Sequence, residues 1–544
     1  MLLQLNGISK QYGGTPMLSG VSMKIEPGER VGLIGVNGAG KSTLLQVIAG
    51  EIPYDSGDIF LAKGAKIGYL RQNDGLRMEN AIETEMLSAF SELRQTELEL
   101  RELEKLMGDP AILADAQKYD TTMERYAEKS NWFMEQGGYE IEPKIRGMLH
   151  GMGFGDVPLD TPIHTLSGGQ KTRLALAKTL LTEPELLILD EPTNHLDFVT
   201  LAWLEKYLRT YPGAILVVSH DRYFLDTVVT GIYELERACI RRYTGNYTTY
   251  VKEKELTNAI QAKNYTQQQE QIAKMESYIE RHIVRATSAK SAKNKRKQLE
   301  RLERVDKPQG ELKRAKLSFG SGKPSFKDVL FVRDVRISAG EASECKTLLQ
   351  NINFELRRGE KVALIGPNGI GKTTLLRTLI GEKQPDGGEI IWGKEVSIGY
   401  YDQEQASLNL HNTILVEVWD AFPHIEEARI RAVLGNFLFT GEDVFKKIVS
   451  LSGGEKARVA LAKLMLKEAN VLVLDEPTNH LDLASKEVLE STLQAYEGTL
   501  LFISHDRYFL NKLADTIVEL HRDGAVVHDG SYESYVEKAR ALKV

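Results

Sequence analysis

Cysteine is almost absent from this chain of 544 residues, which contains only Cys239 and Cys345. Two cysteines exclude a disulfide framework, an iron–sulfur cluster and a four-cysteine zinc site within one chain. The sequence also lacks an apolar run long enough to span a bilayer, and its first residues show no signal-peptide pattern. These absences predict a cytoplasmic protein, and the length predicts two or three domains.

Proline is absent between Pro212 and Pro308, so a long helix can run through much of this segment. Apolar residues at helical spacing predict two helices there, with a turn at residues 286–289 and a stop at Pro308. The first stripe comprises Ile272, Met275, Ile279 and Ile283, and the second comprises Leu299, Leu302 and Val305.

Positive charge is concentrated in the same segment. Residues 281–316 contain 13 Lys and Arg against 4 acidic residues, a net charge of +9 on a chain whose net charge is −7. Such a run on a helical hairpin suits contact with nucleic-acid phosphates, because neutralised phosphates release their counterions. A solvated linker is the alternative interpretation of the charge alone.

The chain outside residues 260–327 is a repeat. Residues 35–42 (GVNGAGKS) return as 366–373 (GPNGIGKT), and Gln72 returns as Gln403, at a shift of 331. Four further segments return at a shift of 285. LDEP at 189–192 and SHDR at 219–222 return unchanged, LSGGQ at 166–170 returns as LSGGE, and GNYTTY at 245–250 returns as GSYESY. The repeat predicts a first cassette at residues 1–259, a basic helical linker at 260–327 and a second cassette at 328–544.

The change of shift means that the first copy carries 46 extra residues, which we place at about 88–136. Two helical stripes predict a protruding hairpin there: Leu93, Leu100, Leu103 and Met107, then Tyr119, Met123, Tyr126 and Phe133. Asp109 and Pro110 are expected to cap and begin the second helix. A helical subdomain packed on the body is the alternative.

A glycine-rich loop that ends in Gly-Lys-Ser/Thr binds phosphate through backbone N–H groups and the N-terminus of the following helix. The apolar residues 30–34 and 361–365 predict the strands that enter the two loops. Lys41 and Lys372 are expected to reach the β- and γ-phosphates, and Ser42 and Thr373 to ligate Mg²⁺. The predicted loop residues are Gly35, Asn37, Gly38, Gly40, Lys41, Ser42 and Thr43, and Gly366, Asn368, Gly369, Gly371, Lys372, Thr373 and Thr374.

Two buried-strand runs, residues 186–189 and 471–474, each end in Asp-Glu. The aspartates Asp190 and Asp475 are expected to hold Mg²⁺, directly or through water. The glutamates Glu191 and Glu476 are placed to orient or deprotonate the attacking water, and His220 and His505 to contact the γ-phosphate.

Together these segments resemble the ABC ATPase cassette. The resemblance implies two α/β cassettes that bind two ATP molecules with Mg²⁺, with Gln72 and Gln403 as further nucleotide and metal ligands. It also implies head-to-tail pairing: one site combines Lys41 and Glu191 with Ser452, Gly453 and Gly454, and the other combines Lys372 and Glu476 with Ser167, Gly168 and Gly169. Tyr12 takes the place of the aromatic residue that stacks on adenine, and no aromatic lies at its counterpart, residues 339–343.

The repeated EPTNHLD segments at 191–197 and 476–482, the inserted hairpin and the charged linker resemble the ABC-F family more closely. That family implies an ATPase that binds the ribosomal E site when closed on ATP, acts as a monomer, and is released on hydrolysis. Its linker meets P-site tRNA and rRNA, and its inserted arm approaches the ribosomal stalk. The residues at the linker position are Arg285, Lys290, Lys293, Lys295 and Arg296.

Other functions remain open at this stage. The same family contains antibiotic-resistance proteins that protect the ribosome as well as housekeeping translation factors. The ATPase subunit of a transporter shares the nucleotide motifs but needs a membrane partner. A DNA-maintenance ATPase would need a long coiled coil or a zinc site, and a non-catalytic binding module would have lost Glu191 and Glu476.

Overall fold

The computed structural model describes residues 1–70, 75–194, 196–282, 289–302, 323–339, 346–402, 408–479 and 481–541. Each half of the chain contains a three-stranded antiparallel sheet and a six-stranded mixed sheet. In the first half the antiparallel sheet has the strand order Thr15–Ile25, Leu3–Tyr12, Ser56–Leu61. The mixed sheet has the order Ile67–Leu70, Leu186–Asp190, Ala214–Val218, Arg30–Ile34, Gly231–Glu236, Cys239–Thr244.

The second half repeats both sheets in the same order. Its antiparallel sheet runs Lys346–Arg357, Asp328–Ala339, Gly387–Trp392, and its mixed sheet runs Ile398–Tyr401, Val471–Asp475, Thr499–Ile503, Lys361–Ile365, Thr516–His521, Gly524–Asp529. Five strands of each mixed sheet are parallel and the sixth is antiparallel. The predicted fold class, two tandem α/β cassettes, is therefore confirmed.

Helices cover the mixed sheets and form the insert and the linker. In the first cassette they are Lys41–Ile48, Ile82–Leu87, Ser91–Met107, Pro110–Leu113, Ala116–Glu135, Ile141–Gly151, Gly168–Leu181, Phe198–Thr210 and Arg222–Val228. The linker has Tyr247–His282 and Ala289–Glu300. The second cassette has Lys372–Leu379, Ile414–Ala421, Glu427–Asn436, Gly453–Leu466, Leu483–Gln494, Arg507–Leu513 and Tyr532–Ala541. Short single turns lie at Ser88–Phe90, Gly138–Glu140, Ile163–Thr165, Gly441–Phe445 and Ile448–Ser450.

The mixed sheet is buried on both faces, which explains why its strands are continuous apolar runs. Leu186 and Ile188 pack in the core shared with the antiparallel sheet, whereas Leu187 and Leu189 pack against the helices on the other face. This alternation follows from the two-residue period of a strand. Asp190 and Asp475 lie at the carboxyl ends of their strands, at the edge of each sheet.

The inserted hairpin differs in detail from the expectation. A one-turn helix does begin at Pro110, but it ends at Leu113. The long second helix starts at Ala116, and its cap is Asp115, whose side chain accepts a hydrogen bond from the Lys118 backbone N–H. Asp115 offers the same capping chemistry as Asp109 six residues later, so the chain turns in two steps. Tyr126 donates to Glu104 at 2.9 Å and ties the two long helices together.

The linker is a pair of packed helices. The first, Tyr247–His282, begins inside the first cassette, where Tyr247 and Tyr250 belong to its core, and continues unbroken past residue 259. Ile272 is buried, as its stripe predicts. Residues 286–288 of the predicted turn lie outside the described residues, and Ala289 is the first residue of the second linker helix. Ile283, Val305 and Pro308 also lie outside the described residues.

Candidate functional site

Each glycine-rich loop leads from a buried strand into a helix that begins at its lysine, Lys41 or Lys372. Gly40 and Gly371 precede these helices with φ of 101° and 110°, a left-handed conformation that favours glycine. The Lys41 ammonium donates to the carbonyl oxygens of Gly35 at 2.8 Å and of Val36 at 3.1 Å. Lys372 makes the same two contacts, to Gly366 and Pro367, at the same distances. The loops thus fold around their own lysines and leave backbone N–H groups to meet a phosphate.

A hydroxyl and a carboxylate meet next to each loop. The Ser42 hydroxyl donates to Asp190 Oδ2 at 2.9 Å. Thr373 lies beside Asp475 in the second cassette, where both carboxylate oxygens are buried and have no hydrogen-bond partner in the described part of the chain. In the described part of the chain, no group of three or more His, Cys, Asp or Glu could hold a metal ion. Mg²⁺ is commonly held by one or two protein oxygens together with water and substrate phosphates, so these hydroxyl–carboxylate pairs fit it.

The glutamate and the histidine of each cassette are held together by the backbone. Glu191 Oε2 accepts from the His220 backbone N–H at 3.2 Å, and Glu191 Oε1 lies 3.5 Å from His220 Nε2. Glu476 and His505 reproduce both distances. The glutamates adopt φ of 52° and 47°, a left-handed conformation that costs about 1–3 kcal/mol for a residue with a side chain. Both copies adopt the same strained conformation, and the histidine N–H holds each carboxylate beside the end of its strand.

Burial sets the protonation of these groups. It raises the pKa of Glu191 to about 8, helped by the charge of Asp190 and opposed by Lys486 and Lys41. Burial likewise raises the pKa of Glu476 to about 7. Both values lie near the pH at which a general base works best. Burial lowers the pKa of His220 and of His505 to about 3, so both imidazoles are neutral near pH 7.

The two cassettes contact each other through these loops. The Asn37 backbone N–H donates to Asp482 Oδ2 at 3.1 Å, and the Asn368 backbone N–H donates to Asp197 Oδ2 at 3.4 Å. The two aspartates end the repeated EPTNHLD segments and also cap the helices that follow. Each phosphate loop therefore touches the opposite cassette, and the contact is reciprocal as in a two-fold interface.

A cavity of about 1100 Å³ runs between the cassettes and brings most of the predicted residues together. Its lining includes Asn37, Gly38, Gly40, Lys41, Ser42, Thr43, Ser167, Gly169, Asp190, Glu191 and His220, and Asn368, Gly369, Gly371, Lys372, Thr373, Thr374, Ser452, Gly453, Gly454, Asp475, Glu476 and His505. Ser167 and Ser452 cap helices through capping boxes, so two helix N-termini open onto this cavity.

Some predicted residues lie elsewhere. Tyr12 ends the strand Leu3–Tyr12 with 45% of its side chain exposed and does not line the cavity. Gly35, Gly366 and Gly168 also do not line it, and Gly168 is the first residue of the helix Gly168–Leu181. Gln72, Gln403 and Arg285 lie outside the described residues. Lys290 and Lys293 lie in the helix Ala289–Glu300, with Lys295 and Arg296 further along it.

Sequence reasoning missed several residues of this site. Asp197 and Asp482 lie within a repeated segment, so the repeat itself was the available signal. Lys486 lines the cavity, and its counterpart at a shift of 285 is Leu201. A comparison of the two copies for differences, rather than for identities, would have found this position.

Known proteins resemble the chain over most of its length. The ABC transporter family profile matches residues 18–194 and 349–479, and a second profile described as ABC transporter matches residues 233–319. The ATP-binding protein YdiF of Bacillus subtilis (strain 168) is 49% identical over 538 residues, covering 99% of this chain and 83% of YdiF. ABC transporter F family member 2 of Arabidopsis thaliana is 36% identical over 541 residues, covering 98% of this chain and 77% of that protein.

Among solved structures, a ribosome-bound archaeal Pelota and ABCE1 model matches with a TM-score of 0.55 at 19% identity, covering 98% of this chain and 80% of that one. At this identity the match shows a shared fold. The paired cassettes and their phosphate loops define the chain as an ABC-type ATP hydrolase. With relatives named ABC transporter F, it belongs to the ABC-F family. No helix in the described part of the chain is long and apolar enough to cross a membrane.

Proposed function

We propose that this ABC-F ATPase acts in the cytoplasm as a monomer that binds the ribosomal E site while its cassettes are closed on ATP. In this proposal the linker contacts P-site tRNA and rRNA to modulate translation or relieve stalling, the arm approaches the ribosomal stalk, and hydrolysis releases the protein. The observation that carries the proposal is a basic helical hairpin mounted on an otherwise acidic chain. The solved structure that shares this fold contains ribosome-bound archaeal Pelota and ABCE1, which supports the ribosome as the partner.

The hairpin is firmly attached to the first cassette. Glu234 is buried, and it accepts hydrogen bonds from the hydroxyls of Tyr243 at 3.2 Å and of Tyr250 at 2.7 Å. Lys254, one turn further along the long helix, forms an ion pair with the same carboxylate. Because the base of the helix is held by a buried network, a movement of the first cassette is expected to carry the hairpin with it.

The second linker helix presents cations while packing on the first. The Lys295 ammonium lies 4.3 Å from the centre of the Tyr278 ring, a cation–π contact that joins the two helices. Arg296 is exposed next to it. Residues 281–299 contain seven Lys and Arg and no acidic residue. An acidic body is repelled by RNA phosphates, so attachment is expected to depend on this patch and on salt.

The binding and hydrolysis of ATP would determine when the cassettes close and open. Lys41 and Lys372 would hold the β- and γ-phosphates, Ser42 with Asp190 and Thr373 with Asp475 would hold Mg²⁺, and Glu191 and Glu476 would take the proton of the attacking water. Bound Mg²⁺ would neutralise phosphate charge. Ser167 and Ser452 line the same cavity from opposite cassettes. A γ-phosphate bound by one cassette and contacted by the serine of the other would join the two halves, and its loss would let them separate.

Charge reversal in the linker tests this function. A variant with Arg285, Lys290, Lys293, Lys295 and Arg296 all changed to Glu should fold and bind ATP normally, because the segment lies outside both cassettes. It should lose ATP-dependent co-sedimentation with ribosomes and any effect on peptide-bond formation. In a variant with fewer of these changes, the dependence of binding on log salt should weaken by about one unit for each phosphate contact removed.

A matched control separates local from global charge. Five exposed cations of the second cassette, Arg333, Lys394, Lys447, Lys467 and Arg522, can be changed to Glu to give the same net charge. This control should keep most of its ribosome binding. If the linker variant binds and works like the parent, the linker is only a spacer and the proposal is wrong.

Unequal adenine contacts are a further expectation. Tyr12 can offer its ring to adenine at the Lys41 site, whereas no aromatic residue lies at residues 339–343 of the second copy. Loss of base stacking costs about 1–3 kcal/mol, so Tyr12→Ala should weaken ATP at the Lys41 site and leave the Lys372 site nearly unchanged. Titrations on variants with the other site disabled measure each affinity, with Tyr12→Phe as the control that keeps the ring. Equal affinities before and after the change would refute the stacking role.

A further inference from the structure

Lys486 breaks the symmetry of the paired ATP sites. The helices Phe198–Thr210 and Leu483–Gln494 each follow an aspartate cap and align at a shift of 285, which places Leu201 opposite Lys486. Leu201 is buried in the apolar core of the first cassette. Lys486 is buried too, with 7% of its surface exposed, yet it carries a charge. A lysine is almost never buried unless it is paired, so its contacts need explanation.

The lysine joins the two cassettes. Its ammonium donates to Asp506 Oδ2, in its own cassette, at 2.9 Å, and to the backbone carbonyl oxygen of His220, in the first cassette, at 3.0 Å. The charges of Asp221 and Glu191 also act on it. The cation therefore sits at the cassette interface, bound to the residue whose side chain and N–H belong to the first hydrolytic site.

His220 is held from two sides as a result. Its N–H donates to Glu191 Oε2 at 3.2 Å, and its carbonyl oxygen accepts from Lys486. The second site has the matching contact from the His505 N–H to Glu476 Oε2 at 3.2 Å. The residue that corresponds to Lys486 there is Leu201, whose side chain has no hydrogen-bond donor. Only the first site can receive a lysine from the opposite cassette at this position.

We propose that Lys486 is a positioning residue that the second cassette supplies to the first ATP site, where it fixes His220 and, through it, Glu191 when the cassettes close. Hydrolysis at the Lys41 site then requires the second cassette to be in place behind His220. Hydrolysis at the Lys372 site has no such requirement. The inference rests on the proposed role of Glu191. It means that the rate of hydrolysis at the first site, but not at the second, depends on this contact between the closed cassettes.

Single-turnover hydrolysis in one-site variants tests the inference. Glu476→Gln leaves only the first site able to hydrolyse, and Glu191→Gln leaves only the second. Adding Lys486→Met should slow cleavage of bound ATP about tenfold or more at the first site and far less at the second. ATP affinity at the first site should change by no more than about twofold, because the Lys486 ammonium is bound to Asp506 and to the His220 carbonyl oxygen, which belong to neither phosphate loop. Lys486→Arg should restore part of the rate, and Lys394→Met, an exposed lysine change, should alter neither site.

A second variant guards against a general loss of the interface. Lys486→Met/Asp506→Asn removes the carboxylate that would otherwise remain buried without its cation, while the contact to His220 stays missing. It should keep the selective defect at the first site. Equal losses at both sites in this variant, or no loss at either, would overturn the proposal. If the Glu191→Gln/Glu476→Gln protein itself still hydrolyses ATP at a normal rate, the glutamate assignment has failed rather than the role of Lys486.

Discussion

Replacement of both Glu191 and Glu476 by glutamine is expected to leave ATP binding intact and to slow hydrolysis by about 10²–10⁴-fold, the usual contribution of a positioned general base. Glutamine keeps the shape of the side chain and can still accept the backbone hydrogen bonds from His220 and His505. It cannot take a proton from water. The change therefore removes chemistry while leaving the cavity and the strained turn in place.

The burial of the two carboxyls explains why they are suited to this role. Burial raises the pKa of Glu191 to about 8 and that of Glu476 to about 7, so each binds a proton more tightly than an exposed glutamate. A base whose pKa lies near the working pH is deprotonated in a useful fraction of the molecules and still binds the proton of water strongly enough to favour its transfer. A carboxylate in water, with a pKa near 4.3, would be a much weaker base.

Steady-state turnover and equilibrium ATP binding together measure the effect. The matched control is Glu79→Gln/Glu389→Gln, one exposed glutamate in each cassette, which should hydrolyse ATP at the parental rate. The double Glu191 and Glu476 variant should also co-sediment with ribosomes when ATP is added, because it stays closed. Near-normal turnover in that variant would remove these residues from the catalytic step.

The parts of this structure that depend on local sequence could be predicted well. The strands Arg30–Ile34 and Lys361–Ile365 lie where their apolar runs placed them, and the repeat correctly indicated two copies of one α/β unit. Strand, loop and helix follow one another between Arg30 and Ile48 and between Lys361 and Leu379, so propensity and motif chemistry determine them together. The Asp-Glu pair reaches its phosphate loop through the parallel sheet instead, since Ser42 and Asp190 are 148 residues apart in the chain.

Features that depend on assembly could not be found in this way. The end of the repeat near residue 259 predicts a domain boundary, but the helix Tyr247–His282 passes through it because nothing in that sequence breaks a helix. The partners across the interface, such as Arg222 with Glu490, are 268 residues apart in the chain. Only the packing of one cassette against the other brings them together, and the spacing of residues within a helix or strand gives no sign of that packing.

Those partners lead to the second large expected effect, which concerns closure of the cassettes. Arg222 binds Glu490 through two contacts of 2.6 and 3.3 Å, and Arg507 binds Glu205 through two contacts of 3.0 and 3.2 Å. Each arginine crosses the interface, and all four side chains are buried. The residues correspond at a shift of 285, so the two pairs are related by the same pseudo-two-fold symmetry as the phosphate loops.

Truncation of one partner should destabilise the closed arrangement strongly. Removing one member of a buried ion pair costs about 3–5 kcal/mol, because the other charge stays buried without compensation. Arg507→Ala should have the larger effect, since Arg222→Ala leaves Glu490 with Lys512 at 3.2 Å. At about 1.4 kcal/mol for each factor of ten, the ATP concentration required for closure should rise roughly a hundredfold or more.

The distance between labels on the two cassettes, followed during an ATP titration, measures closure. The exposed pair Arg429 and Glu468 provides the control, because an exposed ion pair contributes about 0–1 kcal/mol. The double change Arg507→Met/Glu205→Leu should recover most of the lost closure, since it leaves no unpaired buried charge, and replacing such pairs by apolar residues is often neutral. If Arg507→Ala closes at the parental ATP concentration, the ion pairs do not hold the cassettes together. If the double apolar variant is as defective as the single one, the arginine is needed for more than neutralising Glu205, and its stacking 4.6 Å from the Tyr223 ring becomes the contact that decides closure.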